Sequence, residues 1–283
     1  MDEKKIHTTL PLIFFTIIQK DIKSFNIPLN NFYNRIYSYI NNGKYKDNKI
    51  SVEMQWGKGK DVRFSLNKEN KVNFQILFSS GKLITEADYF RTLFSTYAAF
   101  PAYEREKVIF AKEIEKIEKA IKDKRKIVIN YDGINRVVEP YFIQHSIEES
   151  HNYLYCWCYK NSAYRVYRLS KIKSIYENIQ RQEKREESNY KMLYDNFDPF
   201  LSYGNRVKVR MSNYGFLKYE VISHNRPKLI EKEENIYIFE CSEAKAVAYF
   251  AQFVNDAEVL EPESVREKLK KMYLEAIKIY GDN

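Results

Sequence analysis

A chain of 283 residues with 44% hydrophobic side chains has enough apolar surface for two or three packed domains. Its longest apolar run, 12–18, contains Thr16 and is far too short for a bilayer span, and the opening Met1-Asp-Glu-Lys-Lys has no secretory apolar region, so the expectation is a cytoplasmic protein with no membrane role. The net charge of +9 is unevenly placed: residues 1–185 sum to +12, 186–204 to −3 and 205–283 to zero, so polyanion contacts are expected in the first two-thirds.

The first predicted strand is Lys5-Ile-His-Thr-Thr-Leu10, in which Ile6, Thr8 and Leu10 share one face and Lys5, His7 and Thr9 the other. Pro11 stops it and opens a helix with Leu12, Ile13, Phe15, Ile17 and Ile22 at apolar positions. A second helix follows Pro28, carrying Leu29, Phe32, Tyr33, Ile36, Tyr37 and Ile40, and ends at Asn41-Asn42-Gly43. The same order then recurs. Val62-Arg-Phe-Ser-Leu66 repeats the strand pattern 56 residues on, 72–78 is the matching first helix, and 85–97 tracks 28–40 at an offset of 57. Thr85 and Asp88 have capping-box spacing.

Strand, helix, turn, helix resembles the ribbon-helix-helix fold. A single unit lacks a partner strand and a facing helix pair, so residues 1–110 read as a tandem, 1–49 and 60–100, folded within one chain. The resemblance implies a strand face that enters the major groove of DNA, here Lys5, His7, Thr9, Arg63 and Ser65, with Asn30 and Asn31 near a phosphate-holding helix N-terminus. The first strand has no Arg, and Asp61 puts an anion on the second, so a scaffold role for the ribbon stays open. The competing assignment is a winged helix-turn-helix with 58–73 as the wing.

From Ala102 to Lys126 the chain reads as a surface helix with a narrow Ile114, Ile117, Ile121 stripe and Glu-Lys pairs around it; 111–123 is the linking segment. Five alternating runs follow: 126–131, 135–143, 152–159, 164–169 and 172–176. Asp132-Gly133 and other turn residues separate them, as in a small antiparallel barrel or a strongly curled sheet. Tyr153, Tyr155, Trp157 and Tyr159 share one face of their strand, while Leu154, Cys156 and Cys158 share the other and pack inside. Arg165 and Tyr167 point one way and Arg168 the other. Rings beside guanidinium groups suit single-stranded nucleic acid, because bases stack on rings and phosphates pair with Arg. The alternative is that the tyrosines cover the sheet and the arginines pair with Glu139 and Glu177.

The run from Lys126 to Tyr131, the turn, Arg136-Val-Val-Glu-Pro-Tyr141, the Tyr153-Leu-Tyr155 strand and Tyr164-Arg-Val-Tyr-Arg-Leu-Ser-Lys-Ile172 together resemble the WYL domain, over 124–180. The resemblance implies an Sm/SH3-like barrel that binds small or nucleic-acid ligands through Arg136, Tyr153, Arg165, Arg168 and Lys171. Asn152 stands where the family has Trp, which puts the pocket's shape in doubt, and Lys171 stands where Arg is usual, which weakens bidentate phosphate binding.

Residues 181–204 form a polar connector, and 205–283 an α+β layer with strands at 206–211, 236–241 and 257–260 and helices at 214–221, 243–253 and from Pro262 to about Tyr280. Val259-Leu-Glu-Pro-Glu-Ser-Val-Arg-Glu-Lys-Leu269 resembles the extension that follows WYL domains and often mediates dimerisation, which implies a homodimer.

No catalytic, cofactor or metal motif is found. Trp56-Gly-Lys-Gly-Lys60 is neither a phosphate loop nor a dinucleotide fingerprint, the four histidines form no acid-base pair, and the three cysteines read as buried thiols. The expected class is therefore an α+β, non-enzymatic regulator binding single-stranded nucleic acid, with RNA favoured. Ribbon-helix-helix joined to WYL resembles the accessory proteins of compact RNA-targeting CRISPR effectors, which implies an effector partner. A ligand-responsive regulator acting on duplex DNA is the alternative, and an interaction scaffold that binds no nucleic acid is the third reading.

Overall fold

The computed structural model describes residues 3–41, 59–79, 85–146, 149–183 and 190–281. The chain is α+β and divides into two units: residues 1–145 with 150–183, and residues 146–149 with 184–283.

The first unit opens with β1 (Lys5–Pro11), α1 (Leu12–Phe25), α2 (Leu29–Asn41), β2 (Gly59–Ser65), α3 (Lys68–Ser79) and α4 (Glu86–Ala99). Helix α1 stops because Asn26 takes the left-handed conformation, φ 52°, that Asn tolerates at a helix C-terminus. Strands β1 and β2 pair antiparallel, matching Lys5 with Ser65, His7 with Arg63 and Thr9 with Asp61, while Ile6, Leu10, Val62 and Phe64 are buried. Thr8 is buried among them because its hydroxyl donates to the Ala87 carbonyl of α4 at 2.7 Å. Thr85 caps α4, its hydroxyl accepting the Asp88 N–H at 3.0 Å.

Beneath the ribbon lies an aromatic core. Tyr33 meets Phe94 at 4.7 Å between ring centroids and Phe64 meets Phe90 edge-on at 5.5 Å, and each such contact adds about 0.5–1.5 kcal/mol to simple burial. Buried Asn34 ties α2 to β2 and α3, donating to the Ser65 carbonyl at 2.9 Å and accepting from the Asn67 N–H at 2.9 Å. Residues 59–65 pair with β1 and 68–79 are helical, so 58–73 is not the wing of the competing assignment. Asn42-Gly43 and the 56–58 stretch lie outside the described residues.

The single helix expected from 102 onward is two, α5 (Ala102–Ile109) and α6 (Ala111–Lys122). The break falls at Phe110, whose backbone leaves the helical region because its ring is held in the core, edge-on to Phe25 at 5.4 Å with Arg35 over it at 5.8 Å. Nor is this stretch a surface helix throughout, since Glu106, Val108, Ile109, Ile117 and Ala120 are all buried.

Next come β3 (Arg125–Tyr131), β4 (Ile134–Ser146), β5 (His151–Cys158), β6 (Ala163–Arg168), a 3-10 turn at Leu169–Lys171, and β7 (Ile172–Arg181). They form a five-stranded sheet in the order β6-β5-β4-β3-β7, against which α6 packs through β3 and β7. Positive φ at both Asp132 and Gly133 gives the β3–β4 hairpin its tight turn.

The second unit contains α7 (Tyr190–Asp195), β8 (Arg206–Met211), α8 (Asn213–Val221), β9 (Lys228–Glu233), β10 (Ile236–Glu240), α9 (Glu243–Phe250), β11 (Ala257–Glu261) and α10 (Glu263–Gly281). From β8 on the order is β-α-β-β-α-β with strands arranged β11-β8-β10-β9, a split βαβ layer. Its core holds Val207, Val209, Tyr237, Phe239, Phe250 and Phe253. Strand β9 is the element absent from the sequence reading, and the 181–204 connector contains the short helix α7 and begins inside β7. Among the described residues no helix is long and apolar enough to cross a membrane.

Candidate nucleic-acid interface

Cross-strand register sorts the central sheet's side chains. Ile129 faces Arg136 across β3 and β4; Leu154 faces Tyr167, and Cys156 faces Arg165, across β5 and β6. Directly paired residues share a side of the sheet, so Arg165 and Tyr167 lie with the buried Leu154 and Cys156. Arg168 pairs with Tyr153 on the opposite side. At one end of the sheet the Tyr131 and Tyr167 rings meet at 4.8 Å, and the Arg136 guanidinium lies over the Tyr167 ring at 5.7 Å. The Arg136 Nε is buried and, among the described residues, has no hydrogen-bond partner.

Arg168 meets this cluster through its backbone, its side chain lying on the opposite side of the sheet. Its backbone and charge both act on the Tyr131 hydroxyl, whose pKa is nonetheless raised, first by burial and then by Asp132, with Arg168 and Arg136 pulling it back. Burial raises the Tyr167 hydroxyl as well, its contact with Cys158 adds to that, and Arg136 opposes it. Both phenols therefore stay neutral donors at physiological pH. The Arg168 Nε donates to the Ser170 hydroxyl at 3.0 Å. Arg165 is exposed, its one hydrogen bond among the described residues going to the neighbouring Tyr164 carbonyl at 3.4 Å, and Lys171 is exposed. Among the described residues none of Arg136, Arg165 or Arg168 has a carboxylate partner: Glu139 is taken by Tyr141 and Tyr159, and Glu177 by Lys119 at 3.1 Å.

The aromatic row is placed differently from the sequence expectation of one open ring-and-guanidinium surface. Tyr153 and Tyr155 are buried. Tyr155 is stacked between Phe142, at 4.8 Å, and Tyr164, at 5.5 Å, so neither of its faces is open to a base. Trp157 is half-buried and meets Tyr164 edge-on at 5.0 Å. Alternation along a strand gives the side a residue takes, not what covers it, and here β4 folds Tyr141 and Phe142 over the row. The structure thus brings together Tyr131, Arg136 and Tyr167, sets Arg168 opposite Tyr153 on the other side of the sheet, and leaves Tyr155 and Trp157 in a separate stack around Tyr164.

On the ribbon, Lys5, His7, Arg63 and Ser65 line an open cleft of about 440 Å³ together with Asn30, whose side-chain oxygen accepts the Ser65 N–H at 3.3 Å. Asp61 lies 3.6 Å from the His7 ring and 3.5 Å from Arg63, lowering the positive field there. Thr9 is engaged by Arg91, which bonds its carbonyl at 3.0 Å and its hydroxyl at 3.2 Å.

Two contributors escaped the sequence reading. Glu106 looked like one more charge on a solvated helix, yet it is fully buried and accepts the Asn152 N–H at 2.6 Å. Ser170 carried no signal beyond its place between Leu169 and Lys171. Cys156 and Cys158 are buried free thiols, and burial pushes the Cys156 thiol well up, away from the reactive thiolate.

The family model for the WYL domain matches residues 112–177, which span α6 and the sheet to β7, so this chain carries a WYL domain. A solved structure described as a CRISPR Cas-related protein has the same fold along nearly its whole length, with a TM-score of 0.75, 17% identity, and coverage of 99% of this chain and 95% of that one. Proteasome accessory factor B/C (PafBC) of Arthrobacter aurescens aligns with 78% of this chain and 37% of its own, at 16% identity and a TM-score of 0.32. No curated protein matches the sequence.

Proposed function

We propose that this protein is a non-enzymatic regulator whose WYL domain binds single-stranded nucleic acid, RNA in preference, at the Tyr131, Arg136, Tyr167 and Arg168 end of its sheet. The observation that carries this reading is the Arg136 guanidinium, held over Tyr167 with a buried Nε and, among the described residues, neither a hydrogen-bond partner for that nitrogen nor an ion-paired carboxylate. Desolvating a guanidinium without a partner is costly, so an anion arriving there gains more than at a solvated lysine. Arg136 against the paired Tyr131 and Tyr167 rings, with Arg168 at the same end of the sheet, can take a phosphate and a base at once. The whole-chain likeness to a CRISPR Cas-related protein supports a role as accessory to an RNA-targeting CRISPR effector.

In the same reading, residues 1–110 are a tandem ribbon-helix-helix unit, the central sheet is an Sm/SH3-like barrel, and the C-terminal extension joins two copies. The ribbon cleft, with Lys5, His7 and Arg63 around it, favours a second reading, a regulator bound to duplex DNA. One titration separates the two: labelled single-stranded RNA, single-stranded DNA and duplex DNA against the protein at two salt concentrations. A preference for RNA with a steep salt slope supports the first, tight binding to duplex alone supports the second, and no binding to any of the three rejects both.

A further inference from the structure

Helix α5 carries two neighbouring charges that are spent in different places. Arg105 goes to buried Asp21 on α1, at 2.6 Å, whose other oxygen lies 3.3 Å from the same guanidinium, and Tyr97 donates to Asp21 at 2.8 Å. Glu106 goes to the sheet. Its side chain is fully buried, where a carboxylate survives only if its oxygens are satisfied. One oxygen accepts the Asn152 N–H at 2.6 Å and the Asn152 side-chain amide at 2.9 Å, with the His151 ring 3.9 Å away. The other accepts the Ser170 N–H at 3.2 Å. Asn152 is held again from α5, donating to the Tyr103 carbonyl at 2.7 Å.

Ser170 is the link to the ligand site. Its N–H is fixed by Glu106 while its hydroxyl accepts the Arg168 Nε at 3.0 Å. The 3-10 turn that carries it is anchored at one end by Leu169, fully buried in the core, and Glu106 fixes the residue that follows. We infer that Glu106 is a positioning residue: from α5 it orders the Ser170 turn, which fixes the direction of the Arg168 guanidinium at the nucleic-acid end of the sheet. Because Arg105 anchors the same helix to α1, a shift of α5 in the first half of the unit is transmitted to Arg168. This inference rests on the proposed reading of the WYL sheet as the ligand site.

The test is a double-mutant cycle on full-length protein with labelled single-stranded RNA, using Glu106→Gln, Ser170→Ala, Arg168→Ala and the two doubles with Arg168→Ala. Gln keeps the size of the side chain but turns an N–H toward a donor. Expected are losses of about three- to tenfold in affinity for Glu106→Gln and for Ser170→Ala, both vanishing in the Arg168→Ala background. Destabilisation of the sheet without a positioning role would instead leave the losses multiplying with that of Arg168→Ala, which overturns the inference, as does parental affinity in both single variants while Arg168→Ala is weak. Parental affinity in Arg168→Ala itself rejects the ligand-site reading and this inference with it. Where Glu106→Gln fails to fold, Glu106→Asp, which keeps the charge and shortens the reach, takes its place under the same criteria.

Discussion

Arg136 and Tyr167 come from strands that are not neighbours in the sheet, and they meet with the guanidinium 5.7 Å from the ring centroid. The pairing needs both alternation patterns to be in phase across β5, the strand between them, which Tyr159 helps to set by donating its N–H to the Val137 carbonyl at 3.1 Å. Replacing Arg136 with Ala is expected to weaken single-stranded RNA binding by about 1.5–3 kcal/mol, the size of a hydrogen bond to a charged group. Circular dichroism should stay unchanged, since the guanidinium makes no hydrogen bond through Nε whose loss would cost stability. Lys at this position keeps charge but not the planar fork, so Arg136→Lys should recover only part of the loss. Unaltered RNA affinity in Arg136→Ala would falsify the site.

Arg165 shares its side of the sheet with Tyr167 but is exposed and, among the described residues, hydrogen-bonded only to a neighbouring carbonyl. Its contribution should be the long-range, screened kind. Arg165→Ala is expected to lower affinity less than Arg136→Ala and to reduce the slope of log affinity against log salt by about one phosphate contact. A loss that does not change with salt would show that Arg165 does something other than neutralise backbone.

Much of this arrangement was legible. The Asp132-Gly133 turn and the alternation of Lys126 to Tyr131 place β3 within a residue, and the Thr85 and Asp88 spacing locates the start of α4, where Thr85 does accept the Asp88 N–H. Strand β9 was not legible because it is an edge strand with one half-buried side chain, Leu229, before its Ile230 and four charged positions, so it shows no apolar period. The break at Phe110 hid for the opposite reason: helical spacing continues across it, and only the packing of that ring against Phe25 turns the chain. The burial of Glu106 and the cover over Tyr155 are tertiary facts, since each depends on a residue remote in sequence, Asn152 or Ser170 for the first and Phe142 for the second.

Removing one partner of a buried ion pair strands the other. Arg105 and Asp21 are both largely buried, and Tyr97, whose hydroxyl is pushed up first by burial and then by Asp21, cannot neutralise the carboxylate. Arg105→Met should lower unfolding free energy by about 3–5 kcal/mol, read from urea titration. Combining it with Asp21→Asn should cost less than the sum, because the double variant leaves no buried charge behind. Additive losses would mean the two side chains are not energetically paired.

His145 stacks on Tyr103 at 4.2 Å, and its pKa is lowered from the usual 6.5, first by burial and then by Lys107. A base with a depressed folded-state pKa binds fewer protons folded than unfolded, so stability is full above about pH 6.5 and falls as pH drops below it. Urea midpoints taken at pH 7.5 and pH 5.5 should show this decline in the parent and a smaller one in His145→Phe, which keeps a ring for the stack but cannot titrate. Equal declines would place the acid sensitivity elsewhere.

Helix α10 is held to its layer by Val265 and Leu269, both buried, and by Tyr273, whose hydroxyl donates to the Ala251 carbonyl at 3.2 Å. Beyond Tyr273 the same stripe continues at helical spacing through Ile277, 63% exposed, and Tyr280, 85% exposed. Apolar side chains left this open along one helix face match the homodimer proposed for the C-terminal extension, with each copy covering the other's stripe. Sedimentation equilibrium should therefore report a dimer for the parent and a shift toward monomer for Ile277→Asp, with the circular dichroism of the unit kept because neither Ile277 nor Tyr280 belongs to its core. A dimer of undiminished affinity in Ile277→Asp would move the contact off α10, and a parent that is monomeric at every concentration would remove the dimer from the proposal.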